Sequence, residues 1–412
     1  MLMDDVRTHL EGRLPDYLAL LESWVGVNSF TANREGVNRL GEMTAALFAE
    51  LGFAAEYVPS RNPAFGNHVV LTRRGRSGRK IGLVAHLDTV FPPEDEIQND
   101  FHWRIEGDRL YGPGTVDIKG GTLGIYMLLD ALQRFAPAAF AAVTWVILLD
   151  ASEETESLDF GELCLERLRE NGLACLVFEG GYLVGQEFWL VGQRKGMAVY
   201  RVTVEGKASH AGTSHGEGAN ALVQMAEVVQ RIAGFTDYAR NLTFNVGVLS
   251  GGTVVNRVPH LATALVEMRA FDKAVYEQGV AQMLALNDLS TVKSPLNGYA
   301  CRVRVEIERQ MPPWPGNAAT EGLLALWRAA GERLGYQVTR EARGGLSDGN
   351  YLWATLPTLD GLGPNGANAH CSERSADRAK DQEYATLSSF VPKTLLNVLA
   401  VLTLIEQADG EG

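Results

Sequence analysis

Short, continuous apolar runs that each lead into a histidine or an acid constrain this chain more than any other feature. Residues 81–88, Ile-Gly-Leu-Val-Ala-His86-Leu-Asp88, read as a buried strand with His86 and Asp88 at its carboxyl end. The run 142–149 leads into Asp150-Ala-Ser-Glu153-Glu154, and the run 174–178 leads into Glu179. Such runs, alternating with helical patterns, imply an α/β domain with a mostly parallel sheet covered by helices on both faces. Sites in sheets of this kind form beyond the carboxyl ends of the strands. His86, Asp88, Glu153, Glu154 and Glu179 all fall there, which argues for one shared site. Asp117 stands in the glycine-rich turn Gly112-Pro-Gly-Thr-Val-Asp117-Ile-Lys-Gly-Gly121, just before an apolar-periodic helix at 122–135. His370 follows a second glycine-rich loop.

Two divalent cations about 3.5–4 Å apart need carboxylate and imidazole ligands, with one carboxylate bridging. The chain supplies a histidine and an acid from each of two regions, plus a candidate bridge. Each element alone has a plainer reading. His-x-Asp arises by chance, Glu153-Glu154 could be a solvated helix start, and an acid at a strand end could be a helix cap. Their joint placement points instead to a metallohydrolase.

The chain has 412 residues, too many for one ordinary core, which suggests two domains. The alternating strand at 198–205, a helix at 218–234 carrying Leu222, Val223, Ala226, Val229 and Ala233 at helical spacing, strands near 242–249 and 261–270, a helix at 273–286 and a strand with Val303, Val305 and Ile307 come in turn. The order β-α-β-β-α-β is that of a ferredoxin-like α+β unit. It predicts an inserted domain at 195–308 between the two parts of a catalytic domain, 1–194 and 309–412. Pro312-Pro-Trp314-Pro is either a rigid hinge or an aromatic wall.

The net charge of −13 disfavours nucleic acid and anionic membrane as partners. The basic turn Arg73 to Lys80 reads as a solvated hairpin tip, and 92–100 reads as a loop rich in proline and acid. The amino terminus lacks the basic and apolar regions of a signal peptide, and no apolar stretch is expected to reach the ~20 residues of a membrane span. Cys164, Cys175, Cys301 and Cys371 are scattered without a Cys-x-x-Cys pair, which fits a reduced cytoplasm better than a disulfide framework.

Ala-His86-Leu-Asp88-Thr-Val, Gly112-Pro-Gly-Thr-Val-Asp117-Ile-Lys-Gly-Gly, Ser-Glu153-Glu154, Ser209-His210-Ala-Gly and Gly345-Leu-Ser347-Asp348-Gly349-Asn occur in that order. In this the chain resembles the zinc metallopeptidase family of glutamate carboxypeptidase, aminoacylase and succinyl-diaminopimelate desuccinylase. Pro357-Thr-Leu-Asp-Gly-Leu-Gly-Pro resembles the glutamate carboxypeptidase branch most. The resemblance spans nearly the whole chain. It implies two divalent ions, zinc by preference, and cleavage of an amide or peptide bond in an N-acyl or peptidyl substrate to release a C-terminal amino acid such as glutamate. A same-fold deacylase or dipeptidase is the alternative, and a non-catalytic binding protein a third.

By the same resemblance His86, Asp117 and Glu179 would bind one ion, and Asp117, Glu154 and His370 the other. Asp88 would fix the tautomer of His86 from behind. A metal-held water would be the nucleophile and Glu153 the general base. His210, in the inserted domain, would stabilise the oxyanion in its own or a partner's site, the inserted domain serving as a lid and a homodimer contact. The plainer reading of His210 is a loop histidine capping the next turn. Asn256 and Arg269 would grip the substrate carboxylate; Arg269 could instead pair with Glu267 or Asp272. The loop 344–349 would shape the cleft. His9, His68, His102, His215 and His260 read as structural or surface residues. Departures from the family pattern are Glu156-Ser157 after the acid pair, two glycines after Glu179, and Cys371-Ser-Glu373-Arg after His370.

Overall fold

The structure is a computed structural model that describes residues 2–155 and 158–410; the departure at Glu156-Ser157 lies outside the described residues. The chain forms two compact units, one of Met1–Gly192, Gly316–Ala342 and Ser347–Gly412, the other of Gln193–Pro315 and Arg343–Leu346.

The larger unit is built on a six-stranded sheet in the order Ala54–Pro59, Asn67–Arg73, Thr144–Asp150, Lys80–His86, Gly172–Val177, Thr358–Leu359. The last four strands run parallel and the first two form an antiparallel edge. The continuous apolar runs are explained by burial on both faces. Ile81, Leu83 and Ala85 join one core with the helices Leu2–Val25, Lys119–Phe135, Ala318–Leu334 and Phe390–Gly410. Val84, Val146 and Leu148 face a second core with Phe160, Leu163 and Leu168 of the helix Leu158–Leu168. This is the α/β sheet covered by helices that the runs imply.

Two local expectations are corrected. Residues 92–100 are not all loop: Pro93–Gln98 is a short helix, with proline in its first turn and Glu94, Asp95 and Glu96 at its amino end, where proline and acids suit a helix start. One helix, within Leu387–Asp409, is long and apolar enough to cross a membrane, contrary to the expectation that no stretch would be. Its most apolar window is 83% buried inside the protein, so its apolarity serves the core.

The smaller unit is a four-stranded antiparallel sheet in the order Thr243–Gly251, Leu261–Ala270, Gly196–Glu205, Arg302–Met311, with the helices Ala221–Ala233 and Lys273–Leu284. The connectivity is the ferredoxin-like one. Ala198, Tyr200, Val202 and Val204 are buried, as their alternation implies. The buried stripe of the first helix is Ala221, Met225, Val228 and Ile232, not the stripe through Val223 and Ala226 read from sequence. The helix carries apolar residues on both stripes, and periodicity alone could not choose between them. The unit ends at Pro315 rather than 308 because its last strand continues to Met311 and Arg343–Leu346 joins it. Trp314 is fully buried and pairs backbone to backbone with Arg194, so it offers no exposed aromatic wall.

Candidate metal centre

The carboxyl ends of the parallel strands hold the site. His86 is the last residue of Lys80–His86 and is buried. Asp117 precedes Lys119–Phe135, and Glu179 follows Gly172–Val177. The double glycine at the start of the Lys119–Phe135 helix has a packing reason: a side chain on Gly121 would collide with the backbone oxygen of Phe178, so only glycine lets the helix approach the strand end beside Glu179.

One ligand atom each from His86, Asp117 and Glu179 lies within 4.8 Å of the others, and the same holds for Asp117, Glu154 and His370. Asp117 belongs to both groups through different oxygens. Its Oδ1 is 3.0 Å from His86 Nε2, and its Oδ2 is 3.3 Å from His370 Nε2. Glu179 Oε1 is 3.7 Å from His86 Nε2, and Glu154 Oε2 is 3.1 Å from His370 Nε2. Burial, together with the facing acids Glu179 and Glu154, pushes Glu153 well above the ordinary carboxylate range. Burial and the nearby Asp117 push Glu154 up to about 7. Burial works against ionised Asp117, but hydrogen bonds to His370 and His86 outweigh it and lower its pKa.

The donor set fits two divalent cations. Two imidazole nitrogens and three carboxylates converge with no lysine or arginine among them. Oxygen and nitrogen ligands without thiolate suit zinc or a similar borderline ion. A shared carboxylate offering one oxygen to each group is the arrangement a bridged pair requires.

Asp88 does something the sequence did not reveal. Its Oδ1 accepts from the Glu153 backbone N–H at 3.1 Å, and its Oδ2 accepts from Thr31 Oγ1 at 2.7 Å and the Glu154 N–H at 3.3 Å. The carboxylate thus pins the turn that carries both acids. His86 Nδ1 is closer to the backbone oxygen of Asp88, at 2.9 Å, than to its carboxylate, at 3.4 Å. The tautomer role expected for the side chain is therefore led by the backbone.

Of the buried polar residues around the site, Glu383 was missed. Glu383 is buried, and its Oε1 accepts from the backbone N–H groups of Val116 and Asp117 at 3.1 and 3.3 Å, holding the Asp117 turn from behind. Burial and Asp117 raise it to about 8. Its position thirteen residues after His370, outside every quoted motif, hid it. Buried Lys119 donates from Nζ to Val27 O at 3.0 Å, and burial lowers its pKa to about 8. Asp348 is buried, with no hydrogen-bond partner at Oδ1 among the described residues, and burial, with Asp150 and Glu153 nearby, raises its pKa strongly. The Ser347-Asp348 turn is therefore interior. His68 is buried between two acids, with Nδ1 3.0 Å from Asp150 Oδ1 and Nε2 3.2 Å from Asp159 Oδ2.

His210, Asn256 and Arg269 belong to the smaller unit. His210 is exposed, and its Nδ1 accepts from the backbone N–H groups of Gly212 and Thr213, both at 3.1 Å. The capping geometry is thus present. The exposed Asn256 is brought next to this loop, its backbone oxygen accepting from Ala211 N at 2.9 Å. The Arg269 guanidinium is held by Glu267 through Nε at 2.7 Å and Nη2 at 3.2 Å, and donates from Nη1 to Gly344 O. Asp272 instead caps the helix Lys273–Leu284.

A profile of the peptidase family M20/M25/M40 matches residues 82–397. Carboxypeptidase G2 of Pseudomonas sp. (strain RS-16) is 30% identical over 386 residues, covering 92% of this chain and 87% of that protein. Succinyl-diaminopimelate desuccinylase of Bordetella petrii is 26% identical, covering 79% of this chain and 85% of that protein. The crystal structure of a tripeptidase from Staphylococcus aureus superposes with a TM-score of 0.76 at 19% identity, over 96% of this chain and 99% of the other, which supports the fold.

Proposed function

Since the chain belongs to the peptidase family M20/M25/M40 and is a hydrolase of peptide or amide bonds, we propose that it is a two-zinc carboxypeptidase. In this reading it releases a C-terminal amino acid, glutamate first among candidates, from an N-acyl or peptidyl group. The observation that carries it is Asp117, whose two oxygens address two separate histidine–carboxylate groups. His86, Asp117 and Glu179 would hold one ion, and Asp117, Glu154 and His370 the other. The ions, when bound, supply Lewis-acid activation of water and of the scissile carbonyl.

The remaining work falls to the chain itself. Glu153, buried beside Glu179 and Glu154, which raise its affinity for a proton, would take one from the attacking water and pass it to the leaving nitrogen. Asp88 keeps it aimed through the backbone bond at 3.1 Å. At His210, two backbone donors on Nδ1 leave the ring proton on Nε2, so capping the loop and donating to an oxyanion are compatible roles. Arg269, preorganised by Glu267, and Asn256 would meet the carboxylate of the released residue. Exposed Val248 and Leu249 on the edge strand Thr243–Gly251, with exposed Val223 nearby in the same unit's first helix, support a homodimer through this unit. A cytoplasmic enzyme acting on small acyl-amino acids or peptides is the setting we assign.

The test is a hydrolysis screen with added zinc across acyl-glutamates, acyl-aspartates, neutral acyl-amino acids and dipeptides. Preference for acyl-glutamates supports the reading. Preference for neutral acyl-amino acids or dipeptides replaces it with the deacylase or dipeptidase alternative.

A further inference from the structure

The two proposed ion positions are mounted differently. His86 and Glu179 stand at or next to strand ends inside the core. His370 stands on the stretch between the short strands Gly366–Ala367 and Tyr384–Thr386, with a half-exposed side chain and a left-handed backbone at φ 67°. An imidazole on such a stretch needs an anchor, because a free loop loses conformational entropy each time it closes on an ion.

The anchor is the unusual sequence just after His370. Arg374 makes a two-pronged ion pair with Glu106 of the strand Arg104–Glu106, with Nη1 to Oε1 and Nη2 to Oε2 both at 2.7 Å. Arg104 donates to the same Glu106 at 3.0 Å. Arg104 and Arg374 also lie over the buried ring of Tyr111, at 4.2 and 5.5 Å from its centroid. Asp381, near the far end of the stretch, accepts from Arg109 at 2.7 Å and from Tyr111 Oη at 3.1 Å. Both ends of the stretch are thus tied to the hairpin Arg104–Glu106 and Arg109–Tyr111. The backbone closes it further, with Cys371 N–H on Asn368 O at 3.0 Å and Glu383 N–H on Cys371 O at 2.8 Å.

We infer that Arg374, gripped by Glu106 and Tyr111, is a positioning residue that holds His370 on the second metal ion. It lies four positions along the chain from the ligand, so its displacement is passed along the backbone within about 14 Å of chain. The fork geometry matters, because only arginine can make the paired bond and stack on the ring at once. The inference rests on the two-ion reading of the site.

The experiment is a zinc titration at buffered free concentrations, with bound metal counted per chain, on wild type, Arg374→Ala, Arg374→Lys and Glu106→Gln. The expected result is two ions in wild type. In Arg374→Ala one ion remains at unchanged affinity while the other requires at least about tenfold more free zinc. Arg374→Lys should fall between the two, and Glu106→Gln should behave as Arg374→Ala should the latter fail to fold. The kcat of the variants should recover at high zinc with KM unchanged, which a general loss of structure would not allow. Equal affinity for both ions in Arg374→Ala or Glu106→Gln and wild type overturns the inference and leaves the two-ion reading intact. A wild type that saturates at one ion overturns both.

Discussion

Replacing Asp88 by asparagine exchanges one acceptor oxygen for a donor and removes one charge at the point that pins both acids of the Glu153-Glu154 turn. The carboxylate accepts three hydrogen bonds, from Thr31 Oγ1, Glu153 N and Glu154 N. With the new amide at the Oδ1 position, it would face the Glu153 N–H and the His86 ring. With the amide at Oδ2, the Thr31 hydroxyl can turn to accept, and only the Glu154 N–H is orphaned. The second orientation is favoured. One buried orphaned N–H costs about 1–3 kcal/mol, and losing the charge weakens the surviving bonds by roughly 1 kcal/mol more. Asp88→Asn should therefore destabilise the fold by about 2–4 kcal/mol in urea denaturation. The damage falls at Glu154, so the ion assigned to Asp117, Glu154 and His370 should weaken about 10–100-fold. The ion at His86 should change less, because His86 Nδ1 keeps the backbone oxygen at 2.9 Å. Metal titration alongside the denaturation reads both effects. Loss of the His86 ion with the other intact would refute this reasoning and restore the carboxylate as the main support of the imidazole. So would stability unchanged within about 0.5 kcal/mol.

Glu153→Gln should keep both ions and abolish turnover; a variant that still hydrolyses substrate removes Glu153 as the base. His210→Ala should lower kcat by roughly 10²–10³ if its Nε2–H meets the oxyanion, and an unchanged rate leaves it only the loop cap. His68 is flanked by two carboxylates that favour its cation, while the Ala151 N–H on its Nδ1 at 3.2 Å favours the neutral ring. Burial opposes its charge, but hydrogen bonds to Asp150 and Asp159 outweigh this and raise its pKa to about 9. A raised folded pKa gives stability that is complete below the unfolded value near 6.5 and lost as pH rises through 9, on the order of 3 kcal/mol. The stability gap between wild type and His68→Gln should therefore shrink between about pH 6 and pH 10, and a gap that is constant over that range contradicts the assignment.

What the sequence disclosed and what it hid divide along physical lines. The parallel sheet was legible because strands such as Lys80–His86 are buried on both faces and must be apolar throughout. The candidate ligands His86, Asp117, Glu154 and Glu179 were legible because strand ends and the turn before a helix place side chains predictably, whereas their division into two groups with His370 came only with the family resemblance. The supporting layer was not legible. Thr31 and Glu383 act through contacts with residues distant in sequence, and nothing local distinguishes them from an ordinary threonine or acid. The Ala221–Ala233 helix shows the same limit, since two apolar stripes competed and only the sheet decided which to cover. Arg374 stood in a stretch that looked merely irregular until its partner Glu106 came beside it.

The central claim is that Asp117 joins two ion positions in one working site. Counting metal by mass spectrometry in active protein purified without chelators tests it most directly. Two divalent ions per chain in wild type, both lost together in Asp117→Ala, is the predicted result. Full hydrolytic activity with one ion or none per chain would contradict the account.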